Sequence, residues 1–381
     1  MTSVNDLHLS NAQLVLSDSV TSGSVYVKDG RITSIVEGAA ISGHDLQGDY
    51  LIPGLVELHT DHLEAHYSPR PGVRWSALAA IQSHDAQIAT AGITTVLDCL
   101  RLGIDDSVEY REGEMVALAS FLQKAEDQQR LRAEHLLHLR CEVSAPSVLD
   151  DFEHFENHDK IMLVSLMDHA PGQRQFTDMA VFESYHRGKE SMDDKAFKAF
   201  ASKRLANSHR YSEKHRDAIT AICKSRNITL ASHDDATVAH VDEAIERGIH
   251  IAEFPTTIEA ANAARSKGMR ILMGAPNVVR GRSHSGNVGA RQLAEQGTLD
   301  VLSSDYVPSS LMHAPFLLAL QEKLMSLPEA IALVTKNPAQ SIGFDDRGVI
   351  AEGYRADLVR VSYQDNVPTV KCVWREGIRV A

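Results

Sequence analysis

Cysteine is scarce and unpaired in this chain: Cys99, Cys141, Cys223 and Cys372 are the four, and no CxxC pair occurs. That spacing excludes a disulfide-stapled scaffold and offers no thiolate zinc site, so all four are expected as reduced core residues. Long apolar runs are missing too, since none approaches the ~20 residues that a membrane-spanning helix needs. The opening MTSVNDLHLS has no basic stretch leading into an apolar one, as a secretory signal would. A cytoplasmic protein without a membrane partner is the expectation. Positive charge is in deficit, with 38 Lys and Arg against 51 Asp and Glu for a net charge of −13. A surface that grips nucleic acid by neutralising its phosphates is therefore not expected, and any anionic small molecule needs its own local cluster of cations.

What remains is an ordinary globular composition, 43% hydrophobic and 23% charged over 381 residues, with 19 histidines as its one oddity. One barrel uses roughly 250 residues, so the length predicts one barrel plus a small accessory unit. The first fifty residues run in short apolar stretches such as Gly23-Ser24-Val25-Tyr26-Val27, punctuated by Lys28-Asp29-Gly30-Arg31, and the segment from Gly348 onward has the same character. Both ends read as hairpins. Residues 1–50 and 346–381 are thus expected to pair into one small β-sandwich domain around a different middle, 51–345.

In that middle, eight buried-type runs alternate with helical periodicity: LIPGLVELHT, TTVLDC, HLLHLRCEV, IMLVSLMDH, TLASHDD, IHIAEFP, RILMGAP and VLSSDY. Helices are expected over Ser76 to Ala91 and Thr237 to Arg247, with Gly92, Gly248 and Gly268 at helix C-termini. Strict alternation predicts a parallel sheet, and eight repeats predict its closure into a (β/α)8 TIM-like barrel of the α/β class. The segment from about Pro171 to His215 is too long and too charged for a short connection, and it is read as a lid-like insertion rather than a helical excursion.

The C-terminal ends of barrel strands converge on one mouth. These ends carry His59 and Asp61, Glu142, His169, His233 and Asp305. Each is a poor choice for a buried strand unless paired, and each is a metal-ligand type. Alternate residues of an extended strand share a side, so His59 and Asp61 reach toward one ion. Imidazole with carboxylate suits Zn2+, Mn2+ or Fe2+ better than Mg2+, and one or two divalent ions are expected.

The run Pro53-Gly54-Leu55-Val56-Glu57-Leu58-His59-Thr60-Asp61 resembles the first-strand signature of the amidohydrolase superfamily, normally a His-x-His pair. The closing Gly348-x-Ile350-x-x-Gly353-x-x-Ala356-Asp357-Leu358-Val359 resembles that superfamily's return to its sheet domain. Asp61 stands in for the second histidine and Glu57 for the usual Asp, which points to a subgroup. HTDHLEAHYSPRPGVRW (59–75), SHDAQ (83–87), GITTVLDC (92–99), LHLRCE (137–142), LMDHAPGQRQF (166–176), SHDDAT (232–237), EFPTT (253–257), NVVRGRSHSGN (277–287) and SDYVP (304–308) are similar to the ribose-triphosphate diphosphatases of phosphonate breakdown.

The resemblance implies hydrolysis of the phosphoanhydride of a ribose 5-triphosphate to the 5-phosphate and diphosphate, assisted by divalent metal. It implies His59, Asp61, Glu142, His169 and His233 as ligands, with Glu142 able to bridge two ions, and Asp305 as general base. His62 is able to add or tune a ligand, and Glu253 is either a sixth-strand ligand or an ion-pair partner behind one. The phosphates are expected to meet Arg70, Arg74, Arg174, Arg280, Arg282, His284 and Ser285, with Gly286 and Asn287 in the same loop. His84-Asp85 reads as structural, and His186, Arg187 and Lys189 reach phosphate only if the long insertion closes. Partners beyond the small-molecule substrate are limited to further copies of the chain in a homo-oligomer. Two other readings stay open: hydrolysis of a cyclic amide or deamination of a heterocycle, and a metal-free scaffold without activity.

Overall fold

The computed structural model describes residues 6–38, 42–103, 113–176, 179, 182–183, 193–281 and 286–381. Sixteen strands in two sheets are built from them. The terminal sheet holds β1 (Leu7–Val15), β2 (Val20–Lys28), β3 (Arg31–Glu37), β4 (His44–Asp45), β5 (Tyr50–Pro53), β14 (Leu358–Gln364), β15 (Val367–Arg375) and β16 (Ile378–Arg379). Its order is β16-β15-β14-β5-β1-β2-β3, with β4 beside β1. Most pairs are antiparallel, β1 and β5 pair in parallel, and the antiparallel β5–β14 pair joins the N-terminal strands to the C-terminal ones. Alternating residues such as Leu9, Val25, Val27, Leu51, Leu358 and Trp374 form its buried face. The sandwich expected from the two ends is realised as this one continuous sheet.

The second sheet runs β13-β12-β11-β10-β9-β8-β7-β6, each strand beside its neighbour in sequence order: β6 (Leu55–Thr60), β7 (Ile93–Leu102), β8 (Glu134–Glu142), β9 (Ile161–Met167), β10 (Thr229–His233), β11 (Ile251–Glu253), β12 (Arg270–Gly274) and β13 (Val301–Ser303). Pairing is parallel, and a parallel bridge from Thr60 to Asp305 links the residues at the ends of the first and last strands. This is the expected (β/α)8 arrangement. Its strands are buried along almost their whole length, as strands covered on both faces must be. The helices predicted over Ser76 to Ala91 and Thr237 to Arg247 are Ala77–Thr90 and Val238–Glu246. In the second, the Thr237 side chain caps the helix by accepting from the His240 amide.

Tertiary contacts divide the chain into two compact units, one of Met1–Asp98, Phe121–Leu136 and Met273–Ala381, the other of Cys99–Ser120 and Leu137–Leu272. Two local expectations are corrected. The strand read from Leu51 to Thr60 is two strands broken at Gly54, the first in the terminal sheet and the second in the barrel. A Cβ at Gly54 would lie 2.2 Å from Thr94 Oγ1, so only glycine lets the backbone pass this close. The lid reading fails from Asp194 onward, because this stretch belongs to the helix Asp194–Ser225, whose 32 residues span about 48 Å. Its buried stripe includes Arg204, Ser208, Ser212, His215 and Arg216, polar residues that look solvated in the sequence but are spent on partners in the second unit. His186, Arg187 and Lys189 lie outside the described residues.

All four cysteines are free and buried, as expected. Among the described residues no helix is long and apolar enough to cross a membrane.

Candidate metal centre

In the first unit, β6 delivers His59, 1% exposed, two residues before the more open Asp61. His59 Nε2 stands 3.7 Å from Asp61 Oδ1, and His59, Asp61 and Asp305 each offer one ligand atom within 4.8 Å of the others. Backbone bonds lock the set: the Asp61 amide donates to Asp305 O at 2.9 Å and the Asp305 amide to His59 O at 3.1 Å. Asp305 has φ of +54°, a left-handed conformation that costs a β-carbon-bearing residue energy and that these bonds hold in place. Glu57 is the residue the sequence reading undervalued. Wholly buried, its carboxylate accepts from the His59 amide at 2.7 Å and the Ser304 amide at 2.6 Å, so one side chain ties the ends of the first and eighth strands. Burial pushes its carboxyl up to about 7, against the hydrogen bonds from Ser304 and His59.

In the second unit, four strand ends supply Glu142, His169, His233 and Glu253. Glu142 Oε2 accepts from His169 Nδ1 at 2.6 Å, while Glu142 Oε1 is held by the His169 amide and by Ser144 Oγ. Glu253 Oε2 pairs with His233 Nδ1 at 2.6 Å and accepts from Ser165 Oγ at 2.6 Å. Each imidazole thus has a carboxylate on Nδ1, the pairing that orients a metal-binding histidine. Between the two rings sits Asp234, which the sequence reading passed over. His169 Nε2 and His233 Nε2 lie 3.6 and 3.4 Å from Asp234 Oδ2, an oxygen that is buried without a hydrogen-bond partner among the described residues. His169, His233 and Asp234 form a set able to hold a cation, and a bare buried carboxylate oxygen beside two imidazoles fits one. A clue was available in the SHDDAT run, where Asp234 directly follows the strand-end histidine.

The electrostatics follow from burial set against charge. Burial alone would raise Glu142, but the His169 charge and hydrogen bond hold it well below the usual carboxylate range. Burial alone would lower His169, but Glu142 and Asp234 hold it up at about 9. Asp234 is held down against burial by His233, His169 and Arg140. The helix Asp194–Ser225 backs this set: Arg204 Nη2 is 4.0 Å from Glu142 Oε2, and Ser208, Ser212 and Arg216 all bind Asp168, next to His169.

The expected phosphate cations divide. Arg70 and Arg280 are exposed, Arg280 reaching the Tyr306 hydroxyl at 3.5 Å. Arg74 is half-buried, donates to Ser68 Oγ at 2.9 Å and lies over the Tyr67 ring. Arg174 is buried, with its guanidinium paired to Asp235 and Glu243. Arg282, His284 and Ser285 lie outside the described residues. His62 is grouped with His66 and His84, not with His59 and Asp61, and burial among imidazoles pushes it down to about 4. His84 and Asp85 are buried, His84 Nε2 pairing with Asp98 and Asp85 accepting from the Ala133 amide.

A parallel barrel with imidazole and carboxylate at its strand ends is the architecture of metal-dependent hydrolases. The chain belongs to the amidohydrolase family, which it matches over residues 50–380. It is 47% identical over 380 residues, 98% of this chain and 99% of its relative, to the alpha-D-ribose 1-methylphosphonate 5-triphosphate diphosphatase of Escherichia coli (strain K12). A more distant relative is the imidazolonepropionase of Deinococcus deserti, 25% identical over 377 residues, 90% of this chain and 87% of the relative. Among solved structures, N-acetylglucosamine-6-phosphate deacetylase from Pasteurella multocida shares the fold with a TM-score of 0.67 at 12% identity, over 98% of this chain and 99% of that one.

Proposed function

We propose that this protein is a metal-dependent diphosphatase that hydrolyses the triphosphate of alpha-D-ribose 1-methylphosphonate 5-triphosphate, leaving the 5-phosphate and releasing diphosphate in phosphonate breakdown. The observation that carries the reading is the 47% identity to a diphosphatase across the whole length of both chains. The donor sets of the two units are its chemical support. His59 and Asp61 would hold one divalent ion, and His169, His233 and Asp234 another, with Glu142 and Glu253 fixing the orientation of the two imidazoles. Zn2+ suits these donors, and Mn2+ or Fe2+ are accommodated by the same set.

Bound there, a divalent ion supplies Lewis acidity to the phosphate oxygens and to water. The rest is the work of side chains. Asp305 accepts the proton of the attacking water as its oxygen bonds to phosphorus and the α–β bridging oxygen leaves with diphosphate. Its left-handed backbone, held by His59 and Asp61, keeps the carboxylate in one place. Arg70, Arg74 and Arg280 supply the positive charge that an overall acidic protein lacks, and the planar guanidinium fork matches phosphate oxygens.

The similarity to an imidazolonepropionase favours a second reading, hydrolysis of a cyclic amide. Diphosphate release from the ribose triphosphate by metal-loaded protein, beside an Asp305→Asn variant, separates the two. Release by the wild type with a loss of ~10²–10⁴ in the variant is expected for removal of a general base. Metal uptake without diphosphate release, together with turnover of cyclic amides, overturns the diphosphatase reading. Absence of metal uptake returns the protein to the scaffold reading.

A further inference from the structure

Three other histidines of the first unit converge. His62 and His66 lie four residues apart on the helix His62–Tyr67, which places both rings on one side. His84, fully buried, comes from the helix Ala77–Thr90. Ring centroids are 4.8 Å apart for His62 and His66, 5.8 Å for His62 and His84, and 6.1 Å for His66 and His84. One nitrogen of each ring lies within 4.8 Å of the other two. Each ring also keeps one buried nitrogen without a hydrogen-bond partner among the described residues: Nδ1 of His62, Nε2 of His66 and Nδ1 of His84.

The tautomer of His84 follows from its other side. Its Nε2 is 2.7 Å from Asp98 Oδ1, and Asp98 Oδ2 is 2.7 Å from His135 Nδ1. A carboxylate between two imidazoles accepts from both, so the His84 proton sits on Nε2 and its Nδ1 carries a bare lone pair. Three clustered imidazoles, each with a buried nitrogen that lacks a partner among the described residues, are a poor arrangement for protein alone, since an unsatisfied buried polar atom costs about 1–3 kcal/mol. A cation satisfies all three at once, and a carboxylate behind one ligand is what metal-bound histidines characteristically have.

We propose that His62, His66 and His84 form a further metal site, distinct in its ligands from the proposed catalytic set, that binds one zinc-class divalent cation. Zinc–nitrogen bonds of roughly 2.0–2.1 Å in tetrahedral geometry put ligand nitrogens about 3.3 Å apart, so the nitrogens need to draw together by at most about 1.5 Å. The fourth position is left for water or an anionic oxygen. Ligands fall on both sides of residues 68–76, the segment with Arg70 and Arg74, so the cation pins that loop at both ends.

The test is Co2+ binding to the full chain, followed by equilibrium dialysis with elemental analysis and by visible absorption. His66→Ala and His62→Ala proteins with wild-type circular dichroism are expected to bind one equivalent fewer than the wild type. In a His233→Ala protein, which damages the proposed catalytic set, that equivalent is expected to persist and to disappear on adding His66→Ala. Equal stoichiometry in wild type, His62→Ala and His66→Ala overturns the proposal, whatever becomes of the diphosphatase reading. Anomalous scattering from zinc-soaked wild-type crystals needs no variant. A peak among the three rings supports the site, and its absence while other sites fill overturns it.

Discussion

Replacing Asp98 with asparagine changes one oxygen for an amide group in the middle of a buried polar chain. Asp98 is fully buried and takes both His84 Nε2 and His135 Nδ1 at 2.7 Å, while His135 Nε2 continues to Asp85 Oδ1 at 3.3 Å. Asp85 in turn accepts from the Arg132 and Ala133 amides and the Arg132 guanidinium. Burial opposes a charge on His135, but Asp98 and Asp85 outweigh it and hold this imidazole at about 10. The neutral amide side chain would leave that cation with one charge partner and turn an N–H toward one of the rings. Breaking a buried pair from one side costs about 3–5 kcal/mol. With roughly 2.1 cal/mol/K of unfolding entropy per residue, about 0.8 kcal/mol/K over 381 residues, the melting temperature falls by about 4–6 °C. The sign with pH is fixed by the direction of the shift. A folded pKa raised above the ordinary imidazole value of 6.5 gives stability that is complete below pH 6.5 and is lost as pH rises through about 10. Asp98 itself is held below its ordinary value, so its contribution is lost only as strong acid passes that lowered value. Thermal melts of metal-free wild type and Asp98→Asn from pH 6 to 10 should therefore show the widest gap near pH 6, narrowing toward pH 10. No gap at pH 6, or one that widens with pH, refutes the account of the network.

Other outcomes follow from single contacts. Arg174→Met should cost about 3–5 kcal/mol of stability by leaving the buried Asp235 carboxylate without its cation, while Glu243 keeps Arg216 and Arg247, with KM little changed; an unchanged melting temperature with a raised KM would point to a phosphate role. Gly54→Ala should cost about 1–3 kcal/mol, because the new methyl meets Thr94 Oγ1 and Cγ2 at 2.2 and 2.6 Å. A double-mutant cycle with Thr94→Ala should recover part of that loss, and simple additivity would show that the clash lies elsewhere. Because His169 is held up at about 9, a cation bound there must displace its proton. Apparent metal affinity should rise by about tenfold per pH unit up to that value, and competitive dialysis showing a flat profile would remove His169 from the ligand set.

Much of the barrel can be read along the chain because its causes are local. Buried strands announce themselves as apolar runs, helix ends as threonine caps and glycines, and strand-end histidines and carboxylates stand out because an ionisable group there is costly without a purpose. His59, Asp61 and Asp305 are legible in this way even though 244 residues separate the last two in the numbering. Glu57, within the same signature run, was visible as a departure from the usual residue, but its hold on the Ser304 amide was not.

Partner choice is a different matter, for it depends on which strand ends and helix faces the closed fold brings together. Sequence spacing does not pair Glu253 with His233 rather than with an ion, or place Asp234 between two imidazoles. The polar stripe of Asp194–Ser225 looked like solvated lid until Ser208, Ser212 and Arg216 were found on Asp168, 40 to 48 residues away. Nor does the chain show that Arg174, a candidate for phosphate, pairs with Asp235 and Glu243. Periodicity and local propensity act over a few residues and are written into the chain. Hydrogen bonds and ion pairs between buried side chains are settled by distances of a few ångströms that exist only after folding, and so the residue types at the strand ends were legible while their division into ligands, orienting carboxylates and structural pairs was not.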